Sequence, residues 1–487
     1  MEVELVLLIL SLLFFVSIFA DKIGYRYGVP TLLLFLVVGM LFGHEGIGAL
    51  MGNKGVVIDI DHAQALSTVA MCIILFTGGM DTKLSDVKSV LAPGTTLSTL
   101  GVLITCVITG VITYYLFGWM HEGVAASIWV ALLIAATMSS TDSASVFSVL
   151  RTNGIGLKHD LKPLLELESG ANDPMAYVLT TTLIGVVLTE SSKVEALPIV
   201  QTIVVQLVMG TVLGFALGKS LVLLMRRVKL ANESLYPIMV LTACIFIFSV
   251  TYYMKGNPYL AVYVGGLIIG NSKFTRKHQT KSFFDGLTWL AQLVMFLMLG
   301  LLARPSEMSG VFGPAALIAL IMIFVTRPLS VFLTLLPFRQ MSFRAKAYIS
   351  WVGLKGAGPI LFALYPVVEG MQGASLVFNV VFCVTLISLV VQGMTLTPMS
   401  RWLKLAYDED PEVETFGMDM PEEMGMLRDH VVGEEELTGG GTLRDLHLPH
   451  GIRVVMVRRD GKYLVPHGSM VLHKGDHLII VMGESDD

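Results

Sequence analysis

The stretch Glu168-Ser169-Gly170-Ala171-Asn172-Asp173-Pro174 sets two carboxylates inside an otherwise apolar run from about Leu164 to Leu188. At a bilayer centre an ionised carboxylate costs about 2.5–3.5 kcal/mol on insertion scales, so such residues face a cavity or a partner and mark an ion or proton path. Helical spacing separates their roles. Ser169 and Asp173 are four apart and share one face, while Glu168 and Asn172 share the adjacent one. One face can hold a cation and the other can bond to a neighbouring helix. The bland alternative, for Asp173 and more so for Glu168, is a structural ion pair in a helix that merely crosses the membrane.

Composition agrees with that setting. Apolar residues make up 54% of the 487 and charged residues 15%, with a mean hydropathy of +0.73, values of a polytopic membrane protein rather than a soluble domain. The net charge of −5 offers no basic field for nucleic acid. Cys72, Cys106, Cys244 and Cys383 all lie in apolar runs and read as small buried hydrophobes, with no disulfide or metal site expected. The first apolar run lacks a basic leader and a small-residue cleavage site, and reads as a retained spanning helix.

Apolar stretches long enough to cross the hydrocarbon layer number about 13 between residues 4 and 399. Loop charge tests the count. Loops after the odd-numbered spans carry most loop cations, among them Arg151, Arg226, Arg227, Arg276 and Arg344, whereas the alternate loops hold only Lys54, Lys193, Lys255 and Arg304. The positive-inside rule then puts the N-terminus outside and the C-terminus in the cytoplasm of a cell-membrane protein. Two spans are interrupted. Residues 122–150 contain Thr137-Met138-Ser139-Ser140-Thr141-Asp142-Ser143, and residues 345–367 contain Gly353-Leu354-Lys355-Gly356-Ala357-Gly358-Pro359. Seven spans apart, the breaks are what inverted repeats leave in a sequence, and they point to the transport site. Asp142 is expected to face the positive N-terminal ends of half-helices and Lys355 the negative C-terminal ends. Snorkelling is the alternative for Lys355. Arg327 keeps its proton and needs a carboxylate, for which Glu168 is the natural candidate; capping a helix end is its alternative.

The expected architecture is therefore an α-helical membrane domain over residues 1–405, an acidic linker over 406–424 and a small α+β cytoplasmic domain over 425–487. In the last, Ile452–Val457, Tyr463–Val465 and His477–Met482 read as strands, with Asp460-Gly461 as a hairpin turn. Its histidines, His430, His447, His450, His467, His473 and His477, follow no metal-ligand spacing and read as surface residues, with pH sensing as the lesser alternative.

Thr141-Asp142, Glu168-Ser169 with Asn172-Asp173-Pro174, Thr326-Arg327-Pro328 and Gly353-Leu354-Lys355-Gly356-Ala357 together resemble the monovalent cation:proton antiporter-1 family over roughly residues 1–400. The tail is similar to the TrkA-C (RCK-C) subdomain of potassium-transport regulatory proteins, through its Leu-Pro-His-Gly and Gly-Asp-His-Leu segments. The resemblance implies a homodimer in which an elevator-like core moves against a dimerisation domain. It implies cation ligation by Asp173, Ser169 and the Thr141 backbone, with Asp142 acting through water, and a structural bridge between Glu168 and Arg327. The family usually has arginine where this chain has Lys355, which leaves the role of that lysine open. The regulatory tail favours potassium over sodium by analogy, and implies a nucleotide or other small ligand.

Asp173 must hold either a proton or a dehydrated monovalent cation, and that competition is the coupling. With Asn172 neutral, one carboxylate titrates per cycle and exchange is expected to be electroneutral. Sodium/proton exchange is the nearest alternative, and a ligand-gated cation channel is the rival from another class. No cofactor is expected, and no enzyme: metal-ligand spacing, nucleophile elbow and phosphate loop are missing from the sequence.

Overall fold

The computed structural model describes residues 3–27, 29–46, 59–119, 127–189, 196–228, 230–408, 427–433, 441–446, 452–459 and 462–482. Most of the expected linker, His447, His450, the Asp460-Gly461 turn and the Leu-Pro-His-Gly segment lie outside the described residues. The chain divides into two units, Met1–Asp408 and Glu409–Asp487.

The first unit is helical. In chain order it contains α1 (Val3–Tyr27), α2 (Thr31–Phe42), α3 (Ile60–Asp81), the single turn α4 (Leu84–Val87), α5 (Leu91–Trp119), α6 (Ile128–Thr137), α7 (Ser143–Thr152), α8 (Leu161–Leu188) and α9 (Ala196–Arg227). It continues with α10 (Leu235–Tyr253), α11 (Pro258–Gly270), α12 (Lys277–Leu302), α13 (Pro305–Thr334), α14 (Phe343–Trp351), α15 (Ala357–Val368) and α16 (Ala374–Trp402). Among the described residues, eight of these helices are long and apolar enough to cross a bilayer alone. Large side chains such as Phe15, Phe19, Val204, Val208 and Phe246 are exposed on the outside. Many polar residues of the spans turn inward instead, among them Glu168, Asn172, Asp173, Arg327 and Lys355, as a hydrocarbon solvent favours.

Small residues set the closest crossing. A Cβ at Gly79 of α3 would stand 2.3 Å from the Tyr263 carbonyl oxygen of α11, and one at Gly266 of α11 would stand 2.2 Å from the Phe76 carbonyl oxygen of α3. Glycines at both positions let the two backbones touch.

Both interrupted spans are broken in the structure. The first stops at Thr137 and resumes at Ser143, so α6 and α7 are its halves. Hydroxyls occupy the carbonyls that the break would strand: Thr137 Oγ1 donates to Ile134 O at 2.7 Å and Ser139 Oγ to Ala136 O at 2.6 Å. The second stops at Trp351 and resumes at Ala357, giving α14 and α15. Pro359 falls in the first turn of α15, where its missing N–H removes no helical bond.

Residues 406–408, expected to begin the linker, instead form a strand of the first unit. Ala406–Asp408 (β2) pairs antiparallel with Ile155–Leu157 (β1). The Tyr407 ring explains it. It lies over Gly156, where a Cβ would fall 2.2 Å from Tyr407 Cζ, and this contact between distant residues is invisible to local pattern.

The second unit holds a four-stranded antiparallel sheet in the order β3 (Leu427–Val431), β6 (His477–Met482), β4 (Ile452–Arg459), β5 (Lys462–Leu464). Val432, Val457, Leu472, Leu478 and Ile480 form its core. Its described residues are strands and turns, without the helical part of the α+β expectation. Asp476, 1% exposed, organises the approach to β6. Its carboxylate accepts Arg459 Nε at 2.8 Å, Arg459 Nη2 at 2.6 Å and the His473 amide at 2.8 Å. Gly475 before it has φ +87°, a left-handed conformation that glycine adopts without strain.

Candidate cation and proton site

The two breaks face each other and exchange hydrogen bonds in both directions. The Asp142 amide donates to Leu354 O at 2.9 Å, and Lys355 Nζ donates to Ser140 O at 2.9 Å. Asp142 caps α7: its carboxylate accepts the Ser145 amide at 3.1 Å and also the Ser145 hydroxyl. Lys355 is 5% exposed and sits at the carbonyl end of the first half-span, where the helix dipole favours a cation. Its own amide donates to Ser388 Oγ of α16 at 2.9 Å. From there a chain of bonds runs through Gln392 back to the Trp351 carbonyl at the end of α14. The Leu354 carbonyl, the Lys355 amide and the Trp351 carbonyl at the second break are thus each bonded.

Helix α8 brings the Glu168–Pro174 stretch against the first break. Ser169 Oγ accepts the Ser143 amide at 2.9 Å and donates to Thr141 O at 2.8 Å. Asn172 Nδ2 donates to Thr141 Oγ1 at 2.5 Å. Ser169 therefore spends its hydroxyl on the break, and Asn172 its amide nitrogen, while Asn172 Oδ1 is buried with no hydrogen-bond partner among the described residues. Asp173 looks the other way. It lines a cavity with about 30 Å3 of water-accessible space, together with Ser140, Thr141, Asp142, Gly356 and Gly358, enough for a water or two. The carboxylates crowd the glycines of the second break: a Cβ at 356 would lie 2.2 Å from Asp142 Oδ2 and force that side chain to shift, and one at 358 would lie 3.3 Å from Asp173 Oδ1, a tight contact.

Glu168 points elsewhere and forms a buried ion pair with Arg327 of α13. The two residues are 1% and 4% exposed. A π-type turn, Met322–Thr326, immediately precedes Arg327, and the guanidinium packs on Gly353, where a Cβ would lie 3.1 Å from Arg327 Nε. The pair joins α8, α13 and the second break.

Helices α3 and α12 complete the cavity lining through Met71, Ile74, Gln292, Met295 and Phe296. Sequence reading passed over Gln292. A lone amide in the apolar run of α12 resembles packing, and the available signal was one uncharged polar residue amid long aliphatic neighbours.

Two broken helices that bond to each other across their breaks, with Lys355 and the neighbouring Asp173 carboxylate buried beside them, are the arrangement of a secondary transporter of the cation:proton antiporter class. The chain belongs to the sodium/hydrogen exchanger family, whose transmembrane model matches residues 8–402, and residues 439–486 match the TrkA-C domain. It is 37% identical over 494 residues to the K(+)/H(+) antiporter NhaP of Alkalimonas amylolytica, covering 99% of this chain and 82% of that protein. It is also 37% identical over 481 residues to the K(+)/H(+) antiporter NhaP2 of Shewanella oneidensis, covering 98% and 81%. The sodium proton antiporter MjNhaP1 from Methanocaldococcus jannaschii at pH 8 superposes with a TM-score of 0.70 over 83% of this chain and 99% of its own, at 23% identity. That likeness establishes the fold.

Proposed function

We propose that the chain exchanges potassium for protons one for one, with Asp173 as the group that holds either ion. One observation carries the reading: Asp173 opens onto a water-sized cavity where both breaks meet, and its neighbour Asn172 is a neutral amide already bonded to Thr141. A bare carboxylate in that position is costly, so proton and cation compete for it. Thr141 and Asp142 stand beside it as further oxygens. Ser169 and Asn172 act as positioning residues, holding the break so that the Thr141 and Asp142 groups keep their places. Glu168 with Arg327 is the structural bridge, and Lys355 offsets the carboxylates at the crossing.

Potassium as the cation is supported by the K(+)/H(+) names of relatives aligned over nearly the whole chain and by the TrkA-C match of the tail. Loop charge supports an outside N-terminus and a cytoplasmic tail. The protein works as a homodimer in the cell membrane, and the tail takes a nucleotide or another small ligand that regulates exchange.

The test uses purified protein in liposomes. Asp173→Asn keeps the size of the side chain and is expected to abolish exchange; wild-type exchange by that variant would remove Asp173 from the mechanism. Counterflow with potassium, sodium and lithium ranks the cations. Flux that changes with a clamped membrane potential would refute the one-for-one stoichiometry.

A further inference from the structure

Gln292 is 8% exposed, lines the same cavity as Asp173 from a different helix and has no hydrogen-bond partner among the described residues. Its amide atoms are not among the sealed, unsatisfied polar atoms of the described residues, so they are open to the cavity and free to meet what fills it. Its neighbours in the lining from α3 and α12, Met71, Ile74, Met295 and Phe296, offer no side-chain oxygen.

From this we infer that Gln292 is a ligand of the transported cation, its Oε1 supplying a neutral oxygen to the cavity that Asp173 lines. The inference rests on the reading of Asp173 as the exchange site. A dehydrated alkali cation needs oxygens on more than one side, and carbonyl dipoles serve without adding charge. Asp173, Thr141 and Asp142 all approach from the side of α8 and the breaks. Gln292 closes the shell from α12 while leaving the charge balance of one carboxylate intact.

A second observation concerns the path to this residue. Lys281, Asp285, Thr288 and Gln292 recur at helical spacing along one face of α12. Lys281 Nζ is paired with Asp81 of α3 at 3.0 Å, and Thr288 Oγ1 meets Thr77 Oγ1 of α3 at 2.8 Å. Exposure falls along the row, from open at Lys281 and Asp285 to half-buried at Thr288 and buried at Gln292. The seam between α3 and α12 is thus a polar track through apolar helices, and it ends at the cavity. An amide present only for packing would not stand at the end of such a row.

The experiment compares wild type, Gln292→Met, Gln292→Asn and Asp173→Asn, full chain, in proteoliposomes with potassium and then sodium as the driving ion. Gln292→Met keeps length and volume and removes the oxygen. Its KM for the cation is expected to rise about tenfold, the scale of one hydrogen bond to a charged group, with the maximal rate within about twofold of wild type. Gln292→Asn, which keeps the oxygen one methylene back, is expected to fall between. A parallel measurement avoids the transport cycle: potassium should protect Gln292→Met from thermal unfolding only at about tenfold higher concentration. A lowered maximal rate with KM unchanged, or a KM within twofold of wild type, would overturn the assignment and mark Gln292 as packing. If Asp173→Asn is inactive in the same series, only the Gln292 inference falls with that result. If Asp173→Asn exchanges normally, the underlying reading falls as well.

Discussion

The buried pair of Glu168 and Arg327 makes a quantitative prediction. Neither partner reaches water, at 1% and 4% exposure, so a charge left alone has no solvent to turn to. Arg327 Nε already lacks a partner, and the guanidinium lies on Gly353 of the second break. Breaking such a pair from one side costs about 3–5 kcal/mol, whereas replacing both members by apolar groups of similar volume is neutral or mildly stabilising. Glu168→Leu and Arg327→Met should each destabilise the protein by roughly that amount. The double variant should recover most of the loss, giving a coupling energy of about 5 kcal/mol or more. Unfolding in mixed micelles, followed by tryptophan fluorescence, measures the cycle, and liposome exchange measured on the double variant should stay near wild type. Additivity within about 0.5 kcal/mol would mean that the pair is not energetically coupled. A stable but inactive double variant would move Glu168 or Arg327 from support into ion handling.

Other consequences follow from the same geometry. Gly356→Ala puts a Cβ 2.2 Å from Asp142 Oδ2 and must push that carboxylate off the start of α7, with a loss of about 1 kcal/mol and a raised cation KM; unchanged stability and KM would show that the break can relax around a methyl group. In the tail, burial tends to raise the Asp476 carboxyl, but the bonds from Arg459 and the His473 amide outweigh it and hold the carboxyl below its ordinary value. Its stabilising contribution is therefore present above the unfolded value, about 3.9, and is lost as pH falls through the lower folded value. Hydrogen exchange of the β6 amides in the full chain, corrected for intrinsic rates, should show that acid loss in wild type and a flatter profile in Asp476→Asn. For removal of the tail, a cut after Asp408 preserves β2, so helix stability should match the full chain. A cut after Leu405 strips the partner of β1 and should lower the melting temperature; equal melting of the two truncations would show that the strand pair contributes nothing.

Much of this protein is legible along the chain because the bilayer imposes severe rules on local sequence. Apolar length marks spans, loop cations alternate, and the Ser-, Thr- and Gly-rich patches announce where helices stop, since hydrocarbon cannot satisfy an open backbone. The presence of Asp173, Asp142, Glu168, Arg327 and Lys355 in such runs is what makes a transport path the expectation from sequence. Their division of labour was decided by packing. Helical spacing groups Ser169 with Asp173, yet in the folded chain Ser169 is occupied by the first break and Asp173 opens to the cavity. Gln292 is ordinary in sequence and acquires meaning when α12 brings it to the cavity that Asp173 lines. The β1–β2 pair likewise joins residues some 250 positions apart. Periodicity reports which residues must avoid lipid, because that depends on each helix alone. Which buried groups meet depends on how distant helices cross, and that is a property of the tertiary structure.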